Sequence, residues 1–120
     1  MHMITPHLLR KSMPQSPHKT EAIAHRGVRD KYPENSLPAF ITAVDEGADA
    51  IELDVHGTRD GVVVVHHDPL LPRESTSPFA ARAIATLAYD ELSSFELQHG
   101  VFVPTLDEVL DAIEIGRAHV

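Results

Sequence analysis

Three short stretches hold side chains able to do acid–base, phosphate or metal chemistry: "AHRG" at 24–27, "IELDVH" at 51–56 and "VVVVHHD" at 62–68. In the first, an apolar run stops at His25 and Arg26. An imidazole titrates near neutral pH and suits proton transfer. A guanidinium offers a rigid fork of donors that matches a phosphate. The same triplet also fits a plain turn at Gly27, so alone it decides nothing. In the second stretch, strand side chains alternate between faces. Ile51, Leu53 and Val55 then face one way, and Glu52, Asp54 and His56 the other. Strand rise puts Glu52 and Asp54 about 7 Å apart. Carboxylates on one face repel unless a cation or proton lies between them, and hard oxygen ligands suit Mg²⁺ or Ca²⁺. A solvated polar face would show the same alternation. In the third stretch His66 and His67 are neighbours, so they point to opposite faces and only one can reach a shared site.

These residues need elements to position them. "EAIAHRG" reads as a short buried strand ending at Gly27. "SLPAFITAVDEG" reads as a helix, with Ser36 as N-cap, Pro38 in the first turn and Gly47 as the stop. Leu37, Phe40, Ile41 and Val44 fall on one face at helical spacing. "ADAIELDVHG" is a second strand, Asp60-Gly61 a turn, and "VVVVHHD" a third strand. Val62 to Val65 is apolar without interruption, as in a strand covered on both faces. "SPFAARAIATLAYDELSSFEL" reads as loop and helix. "TLDEVLDAI" is a helix with a capping box, Thr105 and Glu108. Residues 1–20 hold prolines and scattered histidines without periodicity and read as a flexible tail, with His2, His7 and His18 solvated.

Strands alternating with helices favour an α/β fold with a parallel sheet. The link between the second and third strands is too short for a helical crossover, which leaves their relative direction open. All three strands end in chemistry-bearing residues, and α/β sites form at the carboxyl ends of strands.

Composition narrows the classes. The length of 120 residues suits one domain. A formal net charge of −8 argues against a broad nucleic-acid surface, so any phosphate needs a local cation. There is no cysteine, hence no disulfide framework and no thiolate metal site. No apolar run approaches the roughly 18 residues of a membrane span. The first 21 residues lack the apolar core of a signal peptide, so a cytoplasmic address is expected.

In combination, "AHRG" (24–27), "PENS" (33–36), "GADAIELDV" (47–55) and "DGVVVVHHD" (60–68) resemble the glycerophosphodiester phosphodiesterases in order and spacing. "TLAYDELSSFEL" and "VPTLDEVL" are similar to later family segments, so the resemblance covers 21–113. It implies a TIM (β/α)8 barrel, here truncated to its N-terminal strands and helices. It also implies an enzyme that hydrolyses a small-molecule glycerophosphodiester to glycerol 3-phosphate and an alcohol. By position, the resemblance makes His25 and His67 the acid–base pair, Arg26 the phosphate ligand, and Glu52 and Asp54 the ligands of one divalent cation, Mg²⁺ or Ca²⁺. His67 is preferred to His66 because the family histidine directly precedes the aspartate. Glu34 and Asn35 are expected to shape the site. Phospholipase-D-like enzymes acting on lysolipids share similar motifs but are secreted and disulfide-bearing. A non-catalytic barrel relic is the other alternative.

The sequence departs from the family in length, since such a barrel takes about 230 to 250 residues. The last residues, "EIGRAHV", match the translation of a common short-read sequencing adapter. Residues 114–120 are therefore expected to be an artefact. A partial barrel exposes an open edge and an apolar face, so poor stability and little activity are expected of the isolated chain.

Overall fold

The computed structural model describes residues 2–4, 23–25, 32–98 and 100–118, with side chains for 32–98 and 100–114. Strands β1 (His2–Ile4), β2 (Ile23–His25) and β3 (Ala50–Leu53) form a three-stranded sheet with β3 in the centre. β2 and β3 run parallel, with Ile23 opposite Ala50, Ala24 opposite Ile51 and His25 opposite Glu52. β1 runs antiparallel to β3, with Met3 opposite Glu52. The segment read as a flexible tail therefore begins with a paired strand, while residues 5–22, including His7 and His18, lie outside the described residues.

The parallel pair is joined through helix α1 (Leu37–Asp45), which makes a βαβ unit. Its boundaries are locally encoded. The Ser36 hydroxyl accepts the Ala39 N–H at 3.4 Å and donates to the Pro33 carbonyl at 2.6 Å. At the other end Gly47 takes φ 87°, which glycine adopts without steric cost, and its N–H reaches the Val44 carbonyl at 3.0 Å. The buried face is Ala39, Phe40, Ala43 and Val44. Ile41, expected on that face, is exposed, because the stripe centres on the small alanines that let the helix approach the sheet.

The long second strand breaks at Asp54 into β3 and β4 (Val55–Gly57). β4 pairs antiparallel with β5 (Val63–Val65), with Val55 opposite Val65 and His56 opposite Val64. This settles the direction that the short link left open. The Asp60-Gly61 turn closes the hairpin with Gly61 at φ 85°. Val64 and Val65 are fully buried, but Val63 is exposed, so the apolar run is covered on both faces only at its end.

The stretch read as loop and helix contains a 3₁₀ turn at Ile84–Thr86 and a single helical turn, α2 (Tyr89–Leu92). An unforeseen hairpin follows, β6 (Glu96–Gln98) with β7 (Val101–Phe102). Helix α3 (Leu106–Ala118) starts at the expected capping box: the Thr105 Oγ1 accepts the Glu108 N–H and the Glu108 carboxylate accepts the Thr105 N–H, both at 3.0 Å. Among the described residues no helix is long and apolar enough to cross a membrane.

Two apolar clusters result. Phe40 and Val44 of α1, Ile51 and Leu53 of β3, Val65, and Val109 and Ile113 of α3 form the first. Val64, Leu71, Ile84, Leu87, Leu92, Phe95 and Val103 form the second. Alternation along β5 sends Val65 to one cluster and Val64 to the other.

Candidate functional site

The first cluster consumes Ile51, Leu53 and the half-buried Val55, the face the alternation assigned to the core. That leaves Glu52 on the opposite face of β3 and Asp54 just past its end. Both are buried, Glu52 at 3% exposure and Asp54 at 8%. Carboxylates at that depth need a cation, a proton or donors to compensate the lost hydration. His25 ends β2 directly opposite Glu52, so the parallel register brings an acid–base residue and a carboxylate to the same carboxyl edge of the sheet. Of His25 only the backbone is described, and Arg26 lies outside the described residues.

Two loops close on Asp54. From the Pro33-Glu34-Asn35 turn, the Asn35 Nδ2 donates to the Asp54 Oδ2 at 3.4 Å. From the end of β5, the His66 N–H donates to the Asp54 carbonyl at 3.0 Å. Asn35 is fully buried and sits at φ 58°, a left-handed conformation that asparagine tolerates better than most residues. The turn that raised no more than a shaping role from sequence thus touches a candidate ligand directly.

The histidines divide by environment. His66 is half-buried, and burial lowers its pKa; Asp68 and Glu34 pull it up and His56 pushes it down. His67 is exposed, with its Nδ1 3.0 Å from the Asp68 Oδ1. The His56 Nε2 lies 3.0 Å from the His67 carbonyl. A carbonyl only accepts, so this ring nitrogen carries the proton and His56 braces the backbone of His67. That brace was not legible from sequence, because it joins residues across the hairpin. A groove of about 300 Å³, lined by Leu37, Pro38, Tyr89, Phe102 and Glu108 among others, contains none of the candidate residues.

The donor chemistry fits a hard divalent cation as far as it goes: two buried carboxylates on one short segment, both oxygen ligands. Among the described residues no group of three or more His, Cys, Asp or Glu is gathered to hold an ion, so Glu52 and Asp54 make a partial set.

Residues 25–119 match the glycerophosphoryl diester phosphodiesterase family. The chain belongs to this family. It is 37% identical over 101 residues to a glycerophosphodiester phosphodiesterase of Bacillus altitudinis, covering 78% of this chain and 40% of the relative. A phosphodiesterase of Oleispira antarctica, solved in complex with the product sn-glycerol-3-phosphate, superposes with TM-score 0.70 at 28% identity over 81% of this chain and 41% of that one. A glycerophosphodiester phosphodiesterase of Agrobacterium tumefaciens gives TM-score 0.69 at 33% identity, over 78% and 42%. The chain thus spans about two fifths of the length of the relatives it matches. Its fold is that of the corresponding part of the family's TIM barrel, with α1 as the crossover between two of its parallel strands.

Proposed function

We propose that this chain carries the N-terminal part of a glycerophosphodiester phosphodiesterase site, which cleaves glycerophosphodiesters to glycerol 3-phosphate and an alcohol. The observation that carries this is the pair of buried carboxylates, Glu52 and Asp54, at the carboxyl end of β3 beside the register position of His25. Buried acids at that edge have a purpose if they hold a cation against a phosphoryl group.

Enzymes of this family use a divalent cation. Held by Glu52 and Asp54, it would draw negative charge off the phosphoryl oxygens. Arg26 follows His25 in sequence and would bind the same phosphate through its fork of donors. Of His25 and His67, one takes the proton from the attacking oxygen and the other gives a proton to the departing alcohol oxygen. Asp68, 3.0 Å from the His67 Nδ1, orients that ring and leaves its Nε2 for the transfer. His56 holds the His67 backbone in place. The sn-glycerol-3-phosphate bound by the Oleispira relative favours the glycerophosphodiester reading over lysolipid cleavage.

The test is calorimetric titration of the chain with Mg²⁺ or Ca²⁺, then with sn-glycerol 3-phosphate. One divalent site is expected, strengthening glycerol 3-phosphate binding and lost in Glu52→Gln and Asp54→Asn. A wild-type chain that binds neither cation nor glycerol 3-phosphate sinks the reading. Comparing the affinity of the cation-loaded chain for glycerophosphocholine with that for lysophosphatidylcholine separates the two substrate classes.

A further inference from the structure

The Asn35 side chain is used at one end only. A carboxylate cannot donate, so the atom facing the Asp54 Oδ2 is the amide nitrogen. The other end, Oδ1, is fully buried and has no hydrogen-bond partner among the described residues. Buried polar atoms are nearly always satisfied, and an orphan beside a candidate site points to a group that arrives from outside. The backbone adds a second argument. At φ 58° glycine would sit without steric cost. A side chain kept in this conformation, fully buried and in contact with Asp54, is there for what its amide does.

We propose that Asn35 is a two-ended residue of the phosphodiesterase site: Nδ2 positions Asp54, and Oδ1 accepts a hydrogen bond from an O–H group of the ligand seated against Glu52 and Asp54. This rests on the function proposed above. The O–H group has two possible sources, a glycerol hydroxyl of the substrate or a water bound to the cation. A carboxylate ligand free to rotate holds a cation poorly. The Nδ2 contact, at 3.4 Å, restrains one of its oxygens, and the Oδ1 belongs to the same planar amide. One short turn would so tie the cation to the polyol of the substrate.

Glycine is the informative substitution, because alanine would add strain at positive φ. In Asn35→Gly, affinity for Mg²⁺ or Ca²⁺ by calorimetry is expected to fall about ten- to a hundred-fold, the usual effect of losing a group that orients a metal ligand. With cation near saturation, sn-glycerol 3-phosphate and inorganic phosphate are then compared. If the O–H belongs to glycerol, Asn35→Gly weakens glycerol 3-phosphate but not phosphate. If it belongs to bound water, both weaken alike. Asn35→Asp also accepts the left-handed backbone and keeps an acceptor while losing the donor. It should keep whatever preference for glycerol 3-phosphate the wild type shows, and it remains informative should the glycine variant misfold. Melting in EDTA checks folding of each variant. Unchanged affinities for cation and glycerol 3-phosphate in folded Asn35→Gly overturn this inference alone. A wild-type chain that binds neither overturns the proposed function, and this inference with it.

Discussion

The two apolar clusters are built by different means. Around Phe40, the βαβ unit is assembled from contacts distant in sequence: β2 pairs with β3 across α1, and α3 returns to cover the same face. Around Phe95, the stretch from the β4–β5 hairpin to β7 is made of tight turns, one helical turn and short ribbons. Several of its polar groups converge on the Asp60-Gly61 turn. The Thr58 hydroxyl donates to the Asp60 Oδ1 at 2.6 Å and accepts the Val62 N–H at 2.9 Å, and the Tyr89 N–H donates to the same Asp60 oxygen at 3.0 Å. The Thr58 hydroxyl is the chief cause of an Asp60 pKa below the usual carboxylate value. Among the described residues, the first region puts buried acids on and beside its sheet and the second does not. The difference teaches where the fold can carry a functional burden. Long-range strand pairing supplies a rigid edge for carboxylates, and the turn-rich region reaches it through Val55 of β4 and Val65 of β5.

The largest test of that division is a pair of truncations. Phe40→Ala and Phe95→Ala each remove a fully buried ring and should cost about 3–5 kcal/mol. If Val64 and Val65 weld the clusters together, both variants show one transition in urea, shifted alike by circular dichroism. An early second transition in Phe95→Ala alone would break the comparison in favour of two separate units. A smaller loss is expected for Thr58→Val, which keeps the shape but strands the Val62 N–H and removes the donor to Asp60. Destabilisation of about 1–3 kcal/mol should follow, with cation binding unaltered by calorimetry. Weakened cation binding in that variant would mean the turn-rich region positions the acids after all.

The smallest effect concerns pH. Burial holds the His66 pKa below the ordinary histidine value of about 6.5. On acidification the unfolded chain therefore takes up this proton first, so stability falls as pH drops from about 6.5 through the folded-state pKa, and the full contribution is present above that range. Melting temperatures of His66→Gln should vary less steeply with pH across this window than those of the wild type. Equal slopes would show that His66 is not buried at the junction of the two regions.

Much of the local structure was legible because its causes are short-range. Ser36, Gly47, Gly61 and the Thr105–Glu108 pair mark their boundaries by caps and turns that reach no more than a few residues. The alternation in "IELDV" foretold which side chains enter the core, since pleating depends on the strand alone. Misreadings arose where a distant partner decides. Ile41 is exposed although it fits the helical stripe, and Glu96–Gln98 pairs with Val101–Phe102 where no strong turn pair announced a hairpin. His2–Ile4 has no strand pattern of its own and pairs through the free edge of β3.

For the site, residue types raised acid–base, phosphate and metal chemistry, and the resemblance to the phosphodiesterase family nominated His25, Arg26, Glu52, Asp54 and His67 and pointed to a phosphodiester. Chemical identity is written directly in the side chain, and motif spacing along one strand follows from its period. Only the tertiary structure decided that Glu52 is opposite His25, that β4 and β5 run antiparallel, and that Asn35 reaches Asp54 across 19 residues. These are choices of register and loop closure. They depend on which apolar faces find each other, and no local stretch of sequence contains that information.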